Sequence, residues 1–312
     1  MRRTLLISTF ALLAVSALFV ARTDAKPETI SQIAPGVWFR EGDLKNLGHC
    51  NNIILEMKDY LIVVDANFPS GARATMEDVK KVSSKPVKYV FDTHHHGDHA
   101  YGNPVWTQAG VTTLAYKGVA DEMRRNEPTA WQASAKQRQD VRELSLPTAE
   151  PPKQTFDKNE FVLSDSTRRV EFHFYGWAHT RGDGFVYLPK EQILCTGDAV
   201  ANGPHNYTGD GNIANWPAVI RKAQKLQVKM VLPGHGEPGG PDVLEGQAQY
   251  MIALHKAVGD AIAQGKKLDE LKTVKVPDNV QKWVGPSMEA QIKDTYEEIT
   301  QKKPHGEIKS GK

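Results

Sequence analysis

Within six residues the chain places four groups that bind metal ions or move protons. They are His94, His96, Asp98 and His99, in the run His94-His95-His96-Gly97-Asp98-His99. The run follows directly on the apolar stretch 87–92, which reads as a strand. In extended chain alternate side chains point the same way, so His94 and His96 can converge on one ion while His95 faces elsewhere. A turn at Gly97 can then swing Asp98 and His99 toward a second position. Imidazole with carboxylate is the ligand set of zinc and its borderline neighbours. Three later segments repeat the design, each with a ligand-type residue in a small-residue turn after a strand: residues 176–183 with His179, Thr196-Gly197-Asp198, and Pro233-Gly234-His235-Gly236. Glycines beside such residues let the backbone approach an ion closely. Taken singly, each later residue reads as a hydrogen-bonding group. Their shared setting makes them one set, which a solvated histidine loop or a tag-like tract does not explain.

The elements that must position this set are legible from periodicity. Residues 37–42, 53–57 and 60–66 read as strands, and 71–81 as an exposed helix stopped by Ser83-Ser84-Lys85-Pro86. Another strand is expected at 111–116. The polar stretch 117–144 has helical composition apart from Pro128, and reads either as a lid or as a solvated helix. Strands follow at 161–164, 169–175, 185–188 and 193–196, then a helix at 216–226 and a last strand at 228–232. Helices are expected at 248–264 and 287–301. Two strand-rich halves, each followed by helices, point to a layered α/β protein with one core. The expected organisation is a catalytic domain over 30–250 with a C-terminal helical extension over 251–312.

Residues 1–25 read as a signal peptide: Arg2 and Arg3 precede an uninterrupted apolar and small-residue run at 5–20, with small residues around Thr23 and Ala25. The run is shorter than a span of about 20 apolar residues, which favours a cleaved leader over an anchor. The expected location is therefore periplasmic or secreted, with no membrane contact beyond the leader. The whole chain carries 39 Lys and Arg against 37 Asp and Glu. The leader holds Arg2, Arg3, Arg22 and Asp24, so the remainder carries 36 of each sign. That balance offers no electrostatic footprint for nucleic acid. Cys50 and Cys195 both lie in apolar strand-like segments, and their pairing stays open. His49, His173, His205, His255 and His305 lack ligand-type context and read as packing or surface residues, although His205 follows Asp198 closely enough to reach a substrate. Tyr101, Trp106, Trp131 and Trp216 read as core more than as pocket.

The pattern His94-x-His96-x-Asp98-His99, followed in order by His179, Asp198 and His235, resembles the metallo-β-lactamase superfamily over roughly residues 30–250. The resemblance implies a four-layer αβ/βα sandwich with a two-zinc site at one edge. His94, His96 and His179 would bind the first zinc, Asp98, His99 and His235 the second, and Asp198 would bridge them. His95 falls at a variable position of the motif. Members with a cysteine second-site ligand carry it where Asp198 stands, with a lysine three residues later; here that position is Ala201, and Cys195 comes three residues too early. Asp198 likens the site to the glyoxalase II, lactonase and sulfur-oxidation-associated branches. Residues 206–216 instead resemble the asparagine-bearing loop of the cysteine-type lactamases, which makes Asn206 a candidate substrate contact.

The implied chemistry is hydrolysis. Zinc ions roughly 3.5–4 Å apart can share a hydroxide of pKa near 7. That hydroxide would attack the carbonyl of a small-molecule β-lactam-like amide, lactone, ester or thioester, with Asp98 orienting it and taking its proton. Rival readings on the same fold are an iron-dependent persulfide oxygenase, a diiron flavoprotein and a nuclease. The diiron type usually has glutamate where His96 stands, and the export leader and neutral balance speak against the nuclease.

Overall fold

The computed structural model describes residues 27–310, so the expected leader at 1–25 lies outside the described residues. The described residues hold twelve strands: β1 (Ile30–Ala34), β2 (Val37–Arg40), β3 (Asn52–Glu56), β4 (Leu61–Val64), β5 (Val87–Asp92), β6 (Thr112–Tyr116), β7 (Gln154–Phe156), β8 (Glu160–Ser164), β9 (Arg169–Phe174), β10 (Gly184–Leu188), β11 (Ile193–Gly197) and β12 (Met230–Pro233). The first seven form one sheet in sequence order. It is antiparallel from β1 to β4 and parallel from β4 to β7. The other five form a second sheet in the order β12-β11-β10-β9-β8, parallel only between β11 and β12.

Alternation along these strands sorts residues into layers. Ile53, Leu55, Ile62 and Val64 of the first sheet meet Val186, Leu188, Ile193 and Cys195 of the second in the central core. The opposite face of the first sheet, with Ile54, Leu61 and Val63, packs on α2 (Pro69–Val82) and α4 (Asn103–Gln108). The opposite face of the second sheet, with Phe185, Leu194 and Val231, packs on α8 (Trp216–Ala223) and α9 (Asp242–Ala263). The result is the expected four-layer αβ/βα sandwich. Short helices fill the connections: α1 (Leu44–Leu47), α3 (Gly97–Ala100), α5 (Lys117–Asn126), α6 (Thr129–Gln137) and α7 (Gln139–Arg142). The C-terminal region holds two 3-10 turns (Leu268–Thr273 and Asp278–Trp283), α10 (Met288–Gln301) and α11 (His305–Ser310). Leu271, Val280, Trp283 and Ile292 join this region to the core on the outer face of the second sheet.

Two departures from periodicity have physical causes. The helix expected from 248 begins at Asp242 and runs unbroken through residue 250. Gly246 weakens the helical signal there, but a Cβ on it would stand 1.9 Å from the Trp283 ring, so packing requires the glycine. β1 and β7 carry too few apolar residues to announce themselves. β1 is the edge strand beside β2, and β7 the edge strand beside β6.

Candidate metal centre

The strand ends gather the predicted residues. β5 runs into Thr93 and His94, and α3 then presents Asp98 and His99. His179 lies in the loop after β9, Asp198 directly after β11, and His235 after β12. The His179 loop is tied by Asp183, whose carboxylate accepts the Ala178 amide (3.0 Å), the Thr180 amide (2.9 Å) and the Thr180 hydroxyl (2.7 Å). Burial pushes this carboxyl up to about 7, against those donors. Gly234 is obligatory for another reason: a Cβ there would lie 2.4 Å from Asp198 Oδ1 and 2.8 Å from His99 Cε1.

The first cluster is a triangle of imidazole nitrogens. His96 Nδ1 stands 3.1 Å from His94 Nε2 and 3.0 Å from His179 Nε2. The outward nitrogens fix the tautomers. His179 Nδ1 donates to the Tyr207 carbonyl at 2.9 Å, and His96 Nε2 donates to Asp210 Oδ2 at 2.9 Å. Both acceptors lack hydrogens, so in the tautomers they select each ring turns a bare nitrogen lone pair toward the other. Two such lone pairs at 3.0 Å repel unless a cation lies between them. Tetrahedral zinc at about 2.0–2.1 Å from each nitrogen would set neighbouring ligand atoms roughly 3.3 Å apart. His94 Nδ1 sits 3.1 Å from the Thr93 hydroxyl. Burial, then the surrounding imidazoles, hold His94 well below the usual histidine range. Burial and His96 bring His179 down to about 3.

The second cluster is acidic. His235 Nε2 lies 2.9 Å from Asp98 Oδ2 and 3.3 Å from Asp198 Oδ2, while His99 Nε2 is 3.4 Å from Asp98 Oδ2 and from Asp198 Oδ1. His99 Nδ1 pairs with Asp65 Oδ2 at 2.9 Å. Burial lowers the His235 imidazole, but Asp198 and Asp98 outweigh it and raise it to about 9. Burial raises Asp98 and Asp198, and the facing imidazoles overcome this to hold both well below the carboxylate range. Asp198 also reaches the first cluster, with Oδ2 4.0 Å from His179 Nε2. Its Oδ1 is buried and accepts no hydrogen bond among the described residues. The donor atoms of His94, His96 and His179, and those of Asp98, His99, Asp198 and His235, form two groups each compact enough to hold an ion. These donors suit a divalent cation of zinc type.

A family model described as the metallo-beta-lactamase superfamily matches residues 46–235, more than half of the chain. The chain belongs to the metallo-beta-lactamase superfamily. Membership makes it a metal-dependent hydrolase. It is 25% identical over 238 residues to a metallo-beta-lactamase type 2 of Bacillus cereus, covering 72% of this chain and 83% of that one. It is likewise 25% identical over 193 residues to metallo-beta-lactamase IND-1 of Chryseobacterium indologenes, covering 60% and 72%. Among solved structures it shares its fold with the metallo-beta-lactamase DIM-1 (TM-score 0.59, 21% identity, 72% of this chain and 96% of that one). It also shares its fold with the sec-alkylsulfatase Pisa1 of a Pseudomonas species (TM-score 0.68, 17% identity, 86% of this chain and 49% of that one).

Around the two clusters the remaining candidates separate. His95 belongs to neither of these two donor groups, although its ring lies 4.7 Å from that of His96; its Nε2 meets Asn126 at 3.1 Å, and both residues line a cavity of about 510 Å³ that reaches His96. The stretch 117–144 forms α5, α6 and α7, and the α5–α6 junction walls this cavity, as does Tyr101. Trp106, Trp131 and Trp216 are core residues whose indoles donate to the carbonyls of Ala66, Leu146 and Ala199. Asn206 is not brought to the clusters. It is buried, its Oδ1 accepts from Gln247 on α9 at 2.7 Å, and its carbonyl accepts from Ser287 and Gln291. Ala201 is fully buried under Trp283, whose indole donates to its carbonyl at 3.0 Å. His205 is half-buried with its ring 6.1 Å from that of His235. Cys50 and Cys195 are both buried free thiols, and burial holds the Cys50 thiol up at about 12 despite nearby His99.

Residue type and spacing in the chain did not single out Asp65, Asp210 or the Tyr207 carbonyl, which orient the ligand-type rings. Asp65 had a signal available, being a carboxylate at the end of the wholly apolar β4. Asp210, flanked by Gly209 and Gly211, carried none.

Proposed function

We propose that the chain is an exported hydrolase that holds two zinc ions and opens a carbonyl compound of small size: a β-lactam-like amide, a lactone or a thioester. One observation carries the reading. Asp198 stands between a triangle of three imidazole nitrogens and a second group of His99, His235 and Asp98, with a cavity of about 510 Å³ alongside. His94, His96 and His179 would hold the first ion, Asp98, His99 and His235 the second, and Asp198 both. Zinc, when bound, supplies Lewis acidity and a water acidified to a pKa near 7.

The chain's own residues do the rest. The buried clusters keep bulk water away from the charged groups, which strengthens every interaction among them. Asp98 is held by His235 and His99 with its carboxylate in the charged form, so it can orient a nucleophilic water and accept its proton. Phe68, Tyr101, Ala130 and Ala133 give the cavity an apolar flank for the body of the substrate. The size of the cavity fits a small molecule, and relatives named as metallo-beta-lactamases favour the cyclic amide as the first substrate to try. The buried Ala201, where a lysine would grip a lactam carboxylate, favours the lactone and thioester equally.

The deciding experiment is a panel of a penicillin, a cephalosporin, an acyl lactone and a glutathione thioester, run on protein whose metal content is measured in parallel. Turnover of at least one, proportional to bound zinc, is expected. Full turnover by protein stripped of metal, or iron as the metal incorporated without supplementation, would overturn the reading.

A further inference from the structure

The last described helix, α11, packs on the loop 207–211 beside the first cluster. His305 on α11 donates from Nδ1 to the Gly209 carbonyl at 2.9 Å, and the Gly306 amide donates to the Gly211 carbonyl at 2.9 Å. A Cβ on Gly306 would stand 2.4 Å from the Asp210 carbonyl oxygen, so the helix is seated directly on the 209–211 backbone. Four residues on, Lys309 Nζ reaches Asp210 Oδ1 at 2.7 Å and the Tyr207 hydroxyl at 3.0 Å. The same short loop holds two rings of the cluster: Asp210 Oδ2 accepts from His96, and the Tyr207 carbonyl accepts from His179.

We propose that α11 clamps the His94, His96 and His179 cluster, and that Lys309 is a positioning residue acting through Asp210 on His96. The inference rests on the reading that this cluster holds a metal ion. Asp210 is a buried carboxylate with one oxygen on each donor. Without the ammonium group, Oδ1 loses its charged donor and the carboxylate is free to turn about its own bonds. His96 Nε2 then loses a fixed acceptor, and with it the orientation that aims Nδ1 at His94 and His179. Residues that hold a ligand's second nitrogen typically set metal affinity by about 10–100-fold. Lys309 acts one bond further out, which places its effect at the lower end of that range. Tyr207 and Gly209–Gly211 give the clamp a second line of attachment, so the fold itself does not depend on this one side chain.

The test uses Lys309→Met, which keeps the apolar stem and removes the donors, with Lys309→Arg as the conservative variant and Lys303→Met as a control on the same terminal segment. Zinc affinity is read by chelator competition, and ligand geometry by the visible spectrum of cobalt-loaded protein. The expected result for Lys309→Met is an affinity about 10-fold weaker for one metal equivalent, with altered cobalt bands, while the other equivalent is unchanged. Arginine should restore both readouts, and Lys303→Met should match the wild type. Wild-type affinity and spectrum in Lys309→Met would overturn the clamp. Equal weakening of both equivalents with a matching drop in the thermal midpoint of the metal-free protein would also overturn it, as a contribution to folding alone. A wild-type protein that binds no zinc would instead sink the proposed function.

Discussion

Asp65→Asn removes one charge and leaves the shape of the site intact, so it isolates the role of a single proton. Asp65 closes β4 at a φ of 68°, a left-handed conformation that asparagine also adopts readily. Its Oδ1 accepts the Thr93 amide at 2.8 Å and its Oδ2 pairs with His99 Nδ1 at 2.9 Å. An asparagine has one acceptor oxygen for these two donors. With that oxygen on the Thr93 amide, its NH2 group faces His99 Nδ1, which must give up its proton to accept. The proton then resides on Nε2, the atom turned toward Asp98, Asp198 and His235. A nitrogen carrying hydrogen has no lone pair for a cation. Loss of the carboxylate that holds a ligand's outer nitrogen weakens metal binding about 10–100-fold, which is about 1.4–2.8 kcal/mol of binding free energy. Chelator competition on wild type and variant should therefore show one zinc equivalent weakened by one to two orders of magnitude, roughly, with the thermal midpoint of the metal-free protein nearly unchanged. Zinc affinity within about a factor of two of wild type, well inside the range expected for that loss, would refute the tautomer argument. A large fall in the metal-free midpoint would assign the effect to folding.

Three other expectations follow from the same geometry and its surroundings. Asp98→Ala should lower kcat by about 10²–10⁴-fold on whichever substrate is turned over, with far-ultraviolet circular dichroism unchanged; an active variant would remove Asp98 from proton handling. Gly246→Ala, stabilising in an ordinary helix, should here cost about 1–3 kcal/mol by driving a methyl group into the Trp283 ring, and a thermal midpoint at or above wild type would show that the ring moves freely. Asp140, which ties α7 to Ser70 at the start of α2, is raised by burial but brought down to about 2 by Arg138 and Ser70. A depressed carboxylate stabilises the fold above its unfolded pKa near 4 and ceases to do so as pH falls through its folded value. The stability gap between wild type and Asp140→Asn should thus close between about pH 4 and pH 2, and a gap independent of pH would contradict the pairing.

What the sequence made legible, and what it hid, divides along a physical line. The strands of the sandwich announce themselves because both faces of each sheet are covered, so β3, β4, β5, β10 and β11 are rich in aliphatic and aromatic residues. The residues of the two clusters are legible for a related reason. Each lies in a short turn beyond the end of a strand, where a ligand-type residue set among glycines and other small residues stands out from the apolar run before it. Edge strands β1 and β7, half-wetted, gave no such signal. Asn206 illustrates the opposite limit. Its loop resembles one that faces substrate, yet Gln247 of α9 and Ser287 and Gln291 of the C-terminal region turn it inward, and local sequence cannot report a partner about 40 or 85 residues away.

The groups that orient the ligand-type rings were hidden for a deeper reason. A metal ligand is restricted to a few residue types, so type and spacing identify it. The acceptor behind it can be any oxygen: the Asp65 carboxylate for His99, the Thr93 hydroxyl beside His94, the Tyr207 backbone carbonyl for His179, and Asp210 for His96. A backbone carbonyl leaves no mark in the sequence at all, because every residue has one. Yet these acceptors decide which nitrogen of each ring faces inward, and hence whether the three imidazoles form a cation site or a hydrogen-bonded knot. Much of what makes this centre selective therefore resides in segments that carry no motif, and the loop at 207–211 with α11 behind it is the part in which chemistry and fold are least separable.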